Sequence, residues 1–241
     1  MRHRGAWMCM VIMSGVLALV AQAADYQLVD LGPQAFAGAV SAEGTVVGSR
    51  QVPEQQAAIL APAPGQVLGT LPGGTMSRAN GVSGGEVVGY TTLGQNALQT
   101  HTFTWNAQQG MRDLGTMGDY RLFSAATALN QTLTTVGYGD NPTQTAIRPL
   151  IWVGTHSQDL GTLGGAAGGA SAMNAQGDIV GDSQTAAGDY HATFWPIEGG
   201  VVDLAPQQGK NSFAFAINNQ RVIVWVRRFL RRASMPSGGH L

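Results

Sequence analysis

The sequence predicts an all-β chain, a β-propeller-like array of four-stranded antiparallel repeats of about 44–46 residues, with five blades and the fifth incomplete or degenerate. Three observations carry this expectation. The phrase "DLG" or a close variant recurs, its glycine falling at Gly32, Gly69, Gly115 and Gly161, with Ala205 in "DLAPQ" as the next member. A "VVG" glycine recurs in the same order at Gly48, Gly89, Gly137 and Gly181, and an aromatic string closes on Trp105, Trp152 and Trp195. The chain carries 34 glycines and only 11% charged residues, and no segment after the first 23 residues keeps a 3.6-residue apolar period.

One unit justifies the elements in order. Ala170–Asn174 reads as a short small-residue strand, and Ala175-Gln176-Gly177 as a turn into a second strand, Asp178–Ser183. A polar loop leads to Tyr190–Trp195, whose residues alternate between two faces, and Gly199-Gly200 turns the chain into Val201–Leu204. "DLG" then ends the fourth strand. Its Leu packs inward, its Asp bonds nearby backbone N–H groups, and its Gly takes the positive φ that swings the chain into the next unit. On this reading Asp113, Gly115, Asp159 and Gly161 are joint residues, and Trp105, Trp152 and Trp195 are core. "YQLVDLG" (26–32) is a lone fourth strand that would complete the unit opening at "NSFAFAINNQ" (211–220) and close the ring. Unit 1 departs from the pattern, with "AAILA" (57–61) standing for "HTFTW".

The spaced string "DLGTLGG…MN…IVG…HATFW" (159–195) resembles the HAF repeat of secreted bacterial proteins, and the likeness extends over roughly residues 26–220. The departures are Arg148-Pro149 in unit 3 and Ala57-Ala58 in unit 1. The resemblance implies an extracellular or cell-envelope repeat protein and no particular reaction.

The ends differ from the body. Arg2 and Arg4, an apolar stretch over 5–20 and Ala21-Gln22-Ala23 read as a signal peptide spanning 1–23, which places the protein outside the cytoplasm, secreted or in the envelope. The single cysteine, Cys9, lies in that segment, so no disulfide framework is expected. All 14 acidic residues fall in the repeat domain, 24–220, against five arginines and Lys210, an unfavourable balance for binding nucleic acid. Residues 221–241 form a basic tail that reads as a degenerate or truncated last repeat. In it Trp225 takes the place of the "VVG" glycine, and Arg227, Arg228, Arg231 and Arg232 offer contact with an anionic membrane or lipopolysaccharide.

Chemical motifs are weak. "GVSGG" (81–85) matches G-x-S-x-G, but that nucleophile needs a strand–turn–helix context, and Ser83 falls in a β turn. No zinc, calcium or cysteine metal pattern occurs, and no cofactor is expected. Asp140, Asn141, Asp182 and Asp189 stand in loops after the second strand, where repeats vary while their scaffold recurs, and are the candidate binding residues. The sequence thus favours a non-catalytic binding scaffold for an extracellular glycan or protein. A propeller-type glycoside hydrolase working through paired carboxylates and a membrane-associated protein are the alternatives.

Overall fold

Glycine and Asx turns cut each repeat into four strands short enough to lie side by side, and each repeat becomes one antiparallel meander. The computed structural model describes residues 30–52, 54–62, 65–94, 99–116, 123–141, 144–206 and 211–227, with two short segments before them. Those segments, β1 (Ile12–Met13) and β2 (Val16–Leu17), pair antiparallel within a first unit, Met1–Leu31. The rest of the proposed signal peptide lies outside the described residues.

The second unit, Gly32–Leu241, holds the repeats. Sheet 1 is β3 (Ala35–Val40), β4 (Val46–Val52), β5 (Glu54–Ala61) and β6 (Gln66–Gly69). Sheet 2 is β7 (Ser77–Ser83), β8 (Glu86–Thr92), β9 (Thr100–Asn106) and β10 (Gly110–Gly115). Sheet 3 is β11 (Ser124–Leu129), β12 (Thr134–Asn141), β13 (Gln144–Val153) and β14 (His156–Asp159). Sheet 4 is β15 (Gly164–Met173), β16 (Ile179–Thr185), β17 (Tyr190–Trp195) and β18 (Val202–Asp203), and a two-stranded pair follows, β19 (Ser212–Ile217) and β20 (Ile223–Arg227).

Each sheet buries a face against the next, so the core is a series of inter-sheet layers. Val47 and Ala57 of sheet 1 pack with Ala79, Val87, Phe103 and Trp105 of sheet 2. Val136 of sheet 3 packs with Ala170, Ile179 and Trp195 of sheet 4, and Val180 and Ala192 pack on Ala214 of the last pair. Trp105, Trp152 and Trp195 are all buried, each contributing on the order of 2–3 kcal/mol. Stability of this kind is a sum of sheet and neighbour terms.

The recurrent "VVG" glycine follows from a bulge. Every first strand carries one at the same place, at Gly38, Asn80, Thr127, Ser171 and Phe215. Opposite it, the carbonyls of Phe36, Arg78, Ala125 and Gly169 lean over Gly48, Gly89, Gly137 and Gly181. A Cβ at those glycines would sit 2.0, 1.9, 2.1 and 2.1 Å from the respective oxygens. These glycines are thus required by close approach of backbone to backbone, in mid-strand.

Several expectations are corrected. The array is not a closed propeller: the sheets pack in chain order and none is closed into a ring. The strand meant to close it lies outside the described residues up to Val29, and Asp30–Gly32 is not strand. Among the described residues the last set has two strands, which leave Phe215, Val224, Trp225 and Val226 exposed. The first strand of sheet 4 starts at Gly164 rather than Ala170. Gly165 and Gly168 allow it to run within van der Waals reach of the Thr185 and Asp182 carbonyls. Register also shifts the unit 1 match by one residue. Gly48 faces Ala58 as Gly89 faces Phe103, so Gln56, not Ala57, takes the place of His101. The pair β19–β20 spans residues 212–227, and between its strands Arg221 bonds the buried Asp178 at 2.8 and 2.9 Å.

Gly137→Ala is expected to lower unfolding free energy by about 2–3 kcal/mol, because a backbone carbonyl must give way. Gly154→Ala, at a positive φ of 61° with open space around it, should cost about 1 kcal/mol. Denaturant melts of both variants check the ranking.

Candidate functional site

The polar chemistry of the repeat concentrates at the joints between sheets. Asp113, Asp159 and Asp203 each accept a backbone N–H two residues on through Oδ1, from Gly115, Gly161 and Ala205 at 2.6, 2.7 and 2.8 Å. Gly115 and Gly161 there hold φ values of +70° and +81°. The same carboxylates bind a basic residue of the third strand. His101 Nδ1 lies 2.8 Å from Asp113 Oδ2, and His191 Nδ1 lies 2.7 Å from Asp203 Oδ2. Arg148 donates to Asp159 Oδ2 from Nε at 2.7 Å and to Oδ1 from Nη2 at 3.2 Å. A carboxylate only accepts, so each imidazole carries its proton on Nδ1. Burial works against the charge of Asp113, but His101 and the Gly115 N–H outweigh it and hold the carboxyl below its ordinary range.

A serine of the following sheet completes the joint. Ser77 Oγ accepts the Ala57 N–H at 2.7 Å and donates to the Gly69 carbonyl at 2.5 Å. Ser124 Oγ accepts the Thr102 N–H at 2.9 Å and donates to the Gly115 carbonyl at 2.8 Å. Ser212 Oγ accepts the Ala192 N–H at 2.9 Å. At the joint from sheet 3 to sheet 4 both partners are missing together, since Pro149 has no N–H and Gly168 has no hydroxyl. There Arg148 Nη1 reaches across to the carbonyls of Gly165 and Ala166 at 3.3 and 2.9 Å. An arginine cannot serve as a general base. The common property of the three pairs is therefore a fixed cross-strand hydrogen bond to a carboxylate.

The four candidate binding residues fall on two sheets. Asp140 and Asn141 belong to strand β12 and Asp182 to β16, not to loops, because the strands run further into their hairpins than the sequence implies. Asp189 precedes β17 and lines a groove of about 400 Å³ with His191, Asp203 and Thr185. Asp140 and Asp182 are both pushed up by burial alone, Asp182 to about 6, and neither responds to a second carboxylate. A glycosidase pair sits about 5–10 Å apart and is mutually coupled. Ser83 lies in a β7–β8 hairpin turned by Gly84-Gly85, without the helix a nucleophile elbow needs. Among the described residues no group of three metal-ligating side chains occurs. Arg227 stands 5.7 Å from the Trp225 ring, while Arg228, Arg231 and Arg232 lie outside the described residues.

A different set shares one groove. Arg78 and Tyr90 are cross-strand neighbours in sheet 2, and Tyr138 holds the place of Tyr90 in sheet 3. With the bulge residues Gly38, Asn80 and Thr127 they line an open polar groove of about 400 Å³ across the first strands of three sheets. Asn80 Nδ2 donates to the Ala126 carbonyl at 2.8 Å and Thr127 Oγ1 to the Ala170 carbonyl at 2.9 Å, so the bulges tie each first strand to the next. Tyr138 stacks on Phe123, 5.7 Å between centroids, and packs over Gly169, the cross-strand partner of Asp182. Burial, then Tyr90, raises the Tyr138 hydroxyl against the opposing pull of Arg78, which keeps it a neutral donor. The sequence offered only one signal for this groove: tyrosine follows the "VVG" glycine twice, at 90 and 138.

No family model matches the chain, and neither a curated protein nor a solved structure matches it.

Because Asp182 carries a raised value in the fold, its protonated form stabilises the protein. That contribution is complete below the ordinary carboxylate range and is lost as pH rises through about 6. Asp182→Asn should therefore match the wild type near pH 4 and exceed it at pH 8 by at most about 3 kcal/mol. Thermal melts across that range check the sign.

Proposed function

We propose that the protein is a non-catalytic, exported repeat scaffold of the cell surface or envelope. It holds an extracellular glycan in the groove formed by Arg78, Asn80, Tyr90, Thr127 and Tyr138. The observation that carries this reading is the division of labour among polar side chains. His101, Arg148 and His191 are engaged with Asp113, Asp159 and Asp203 in cross-strand contacts within their own sheets, and Arg148 also bonds the following sheet. The groove, by contrast, presents polar and aromatic groups to solvent on a surface built from three rigid sheets. Tyrosine suits such a surface, since its ring stacks on the C–H face of a sugar while its hydroxyl bonds the sugar's own. The signal-like residues 1–23 and the resemblance to the HAF repeat support an exported location.

The hydrolase alternative has less support, because the half-buried carboxylates Asp140 and Asp182 are raised by burial and not by a neighbouring acid. Affinity electrophoresis of residues 24–241 in gels cast with a panel of bacterial and plant polysaccharides tests the proposal. Retardation by at least one polysaccharide, weakened at least tenfold in Tyr90→Ala/Tyr138→Ala and without release of reducing ends, is the expected result. Release of reducing ends that disappears in Asp182→Asn would overturn it.

A further inference from the structure

We infer that the groove selects a carboxylate-bearing sugar, a uronic acid within a glycan chain, with Arg78 receiving the carboxylate. The inference deepens the glycan-binding proposal and rests on it. Among the described residues Arg78 is the one arginine without an ion pair or hydrogen bond. Arg112 bonds Glu86, Arg148 bonds Asp159, Arg221 bonds Asp178 and Glu198, and Arg50 and Arg227 have partners of their own. Arg78 is half-buried, and its Nε has no acceptor among the described residues. The guanidinium is thus uncommitted within the protein, and Arg78 lines the groove, where a ligand carboxylate meets it. The guanidinium fork matches a carboxylate with two parallel N–H···O bonds.

The surroundings narrow the class. Tyr90 and Tyr138 flank Arg78, their hydroxyls bonded to none of the described residues, and Phe123 and Gly169 pack against the Tyr138 ring. Asn80 spends its amide N–H on Ala126, which leaves its Oδ1 as an acceptor for a sugar hydroxyl. A single cation in an acidic body, with the carboxylate of Asp182 one residue pair beyond Tyr138, suits a monoanion better than a phosphate dianion. Capture of a peptide C-terminus commonly uses a nest of backbone N–H groups, whereas the polar groups here are side chains. The groove lies open along three sheets, which fits a chain and not an enclosed monomer.

The test is calorimetric titration of residues 24–241 with oligogalacturonate, with its carboxyl-reduced neutral form, and with a peptide ending in a free carboxylate. The acidic sugar is expected to bind at least tenfold more tightly than the neutral one. That preference should vanish in Arg78→Ala, fall in Arg78→Lys and shrink between 50 and 500 mM salt, in about the proportion expected of one charge pair. Circular dichroism melts establish that the variants fold, and the salt series on the wild type stands should they not. Equal affinity for acidic and neutral sugars, or an unchanged preference in Arg78→Ala, overturns the inference while leaving the glycan scaffold intact. Binding of the peptide in place of either sugar, or no sugar binding at all, overturns both.

Discussion

The seryl bridge, made at three of the four joints among the described residues, is the constraint on which the rest of the fold depends. A four-stranded meander has one face to bury and cannot bury it alone, so it must dock on a neighbour in one fixed register. Ser77 and Ser124 impose that register by accepting an amide from the third strand behind them and donating to the carbonyl that ends the fourth. The carboxylate beside that carbonyl holds the turn with one oxygen and a third-strand base with the other. Trp and aliphatic layers supply most of the energy. The polar joint specifies which residues face each other.

The joint between sheets 3 and 4 shows that the constraint concerns function within the joint and not residue identity. Losing the amide at Pro149 coincides with losing the hydroxyl at Gly168, so no buried donor or acceptor is stranded. The longer Arg148 keeps the contact with Asp159 and adds two bonds to β15. In unit 1 the base and the acid are replaced together as well, by Gln56 and Val67. Paired replacement of this kind is what a structural contact tolerates, whereas an acid–base site depends on the individual groups.

The spacing of "DLG", "VVG" and Trp made the four-strand unit, its order and its joints legible, because each marker answers a local demand of turn, bulge or core. Closure was not legible. A ring and an open array use the same joint, and nothing in Asp113, Gly137 or Trp152 encodes how many sheets follow. The His–Asp and Arg–Asp pairs were hidden because His101 and Asp113 read as separate markers until strand register brought them together. The placement of the candidate residues in loops was misread for a related reason. Asp140 and Asp182 looked like loop residues where polar sequence continued a strand, and Arg78, on an unremarkable stretch of β7, gave no pattern of its own.

The groove and the joints divide the molecule's polar groups between holding and binding. Bulges at Asn80 and Thr127 serve both, tying adjacent first strands while shaping the surface beside Arg78. The most direct test of this account is the unfolding free energy of Ser124→Ala, read together with hydrogen exchange at the Thr102 amide. The account predicts a loss of about 1–3 kcal/mol and faster exchange at Thr102, because the substitution strands a buried N–H and the Gly115 carbonyl. An unchanged free energy with Thr102 still protected would mean that packing alone sets the register, and the joint would lose its place at the centre of the fold.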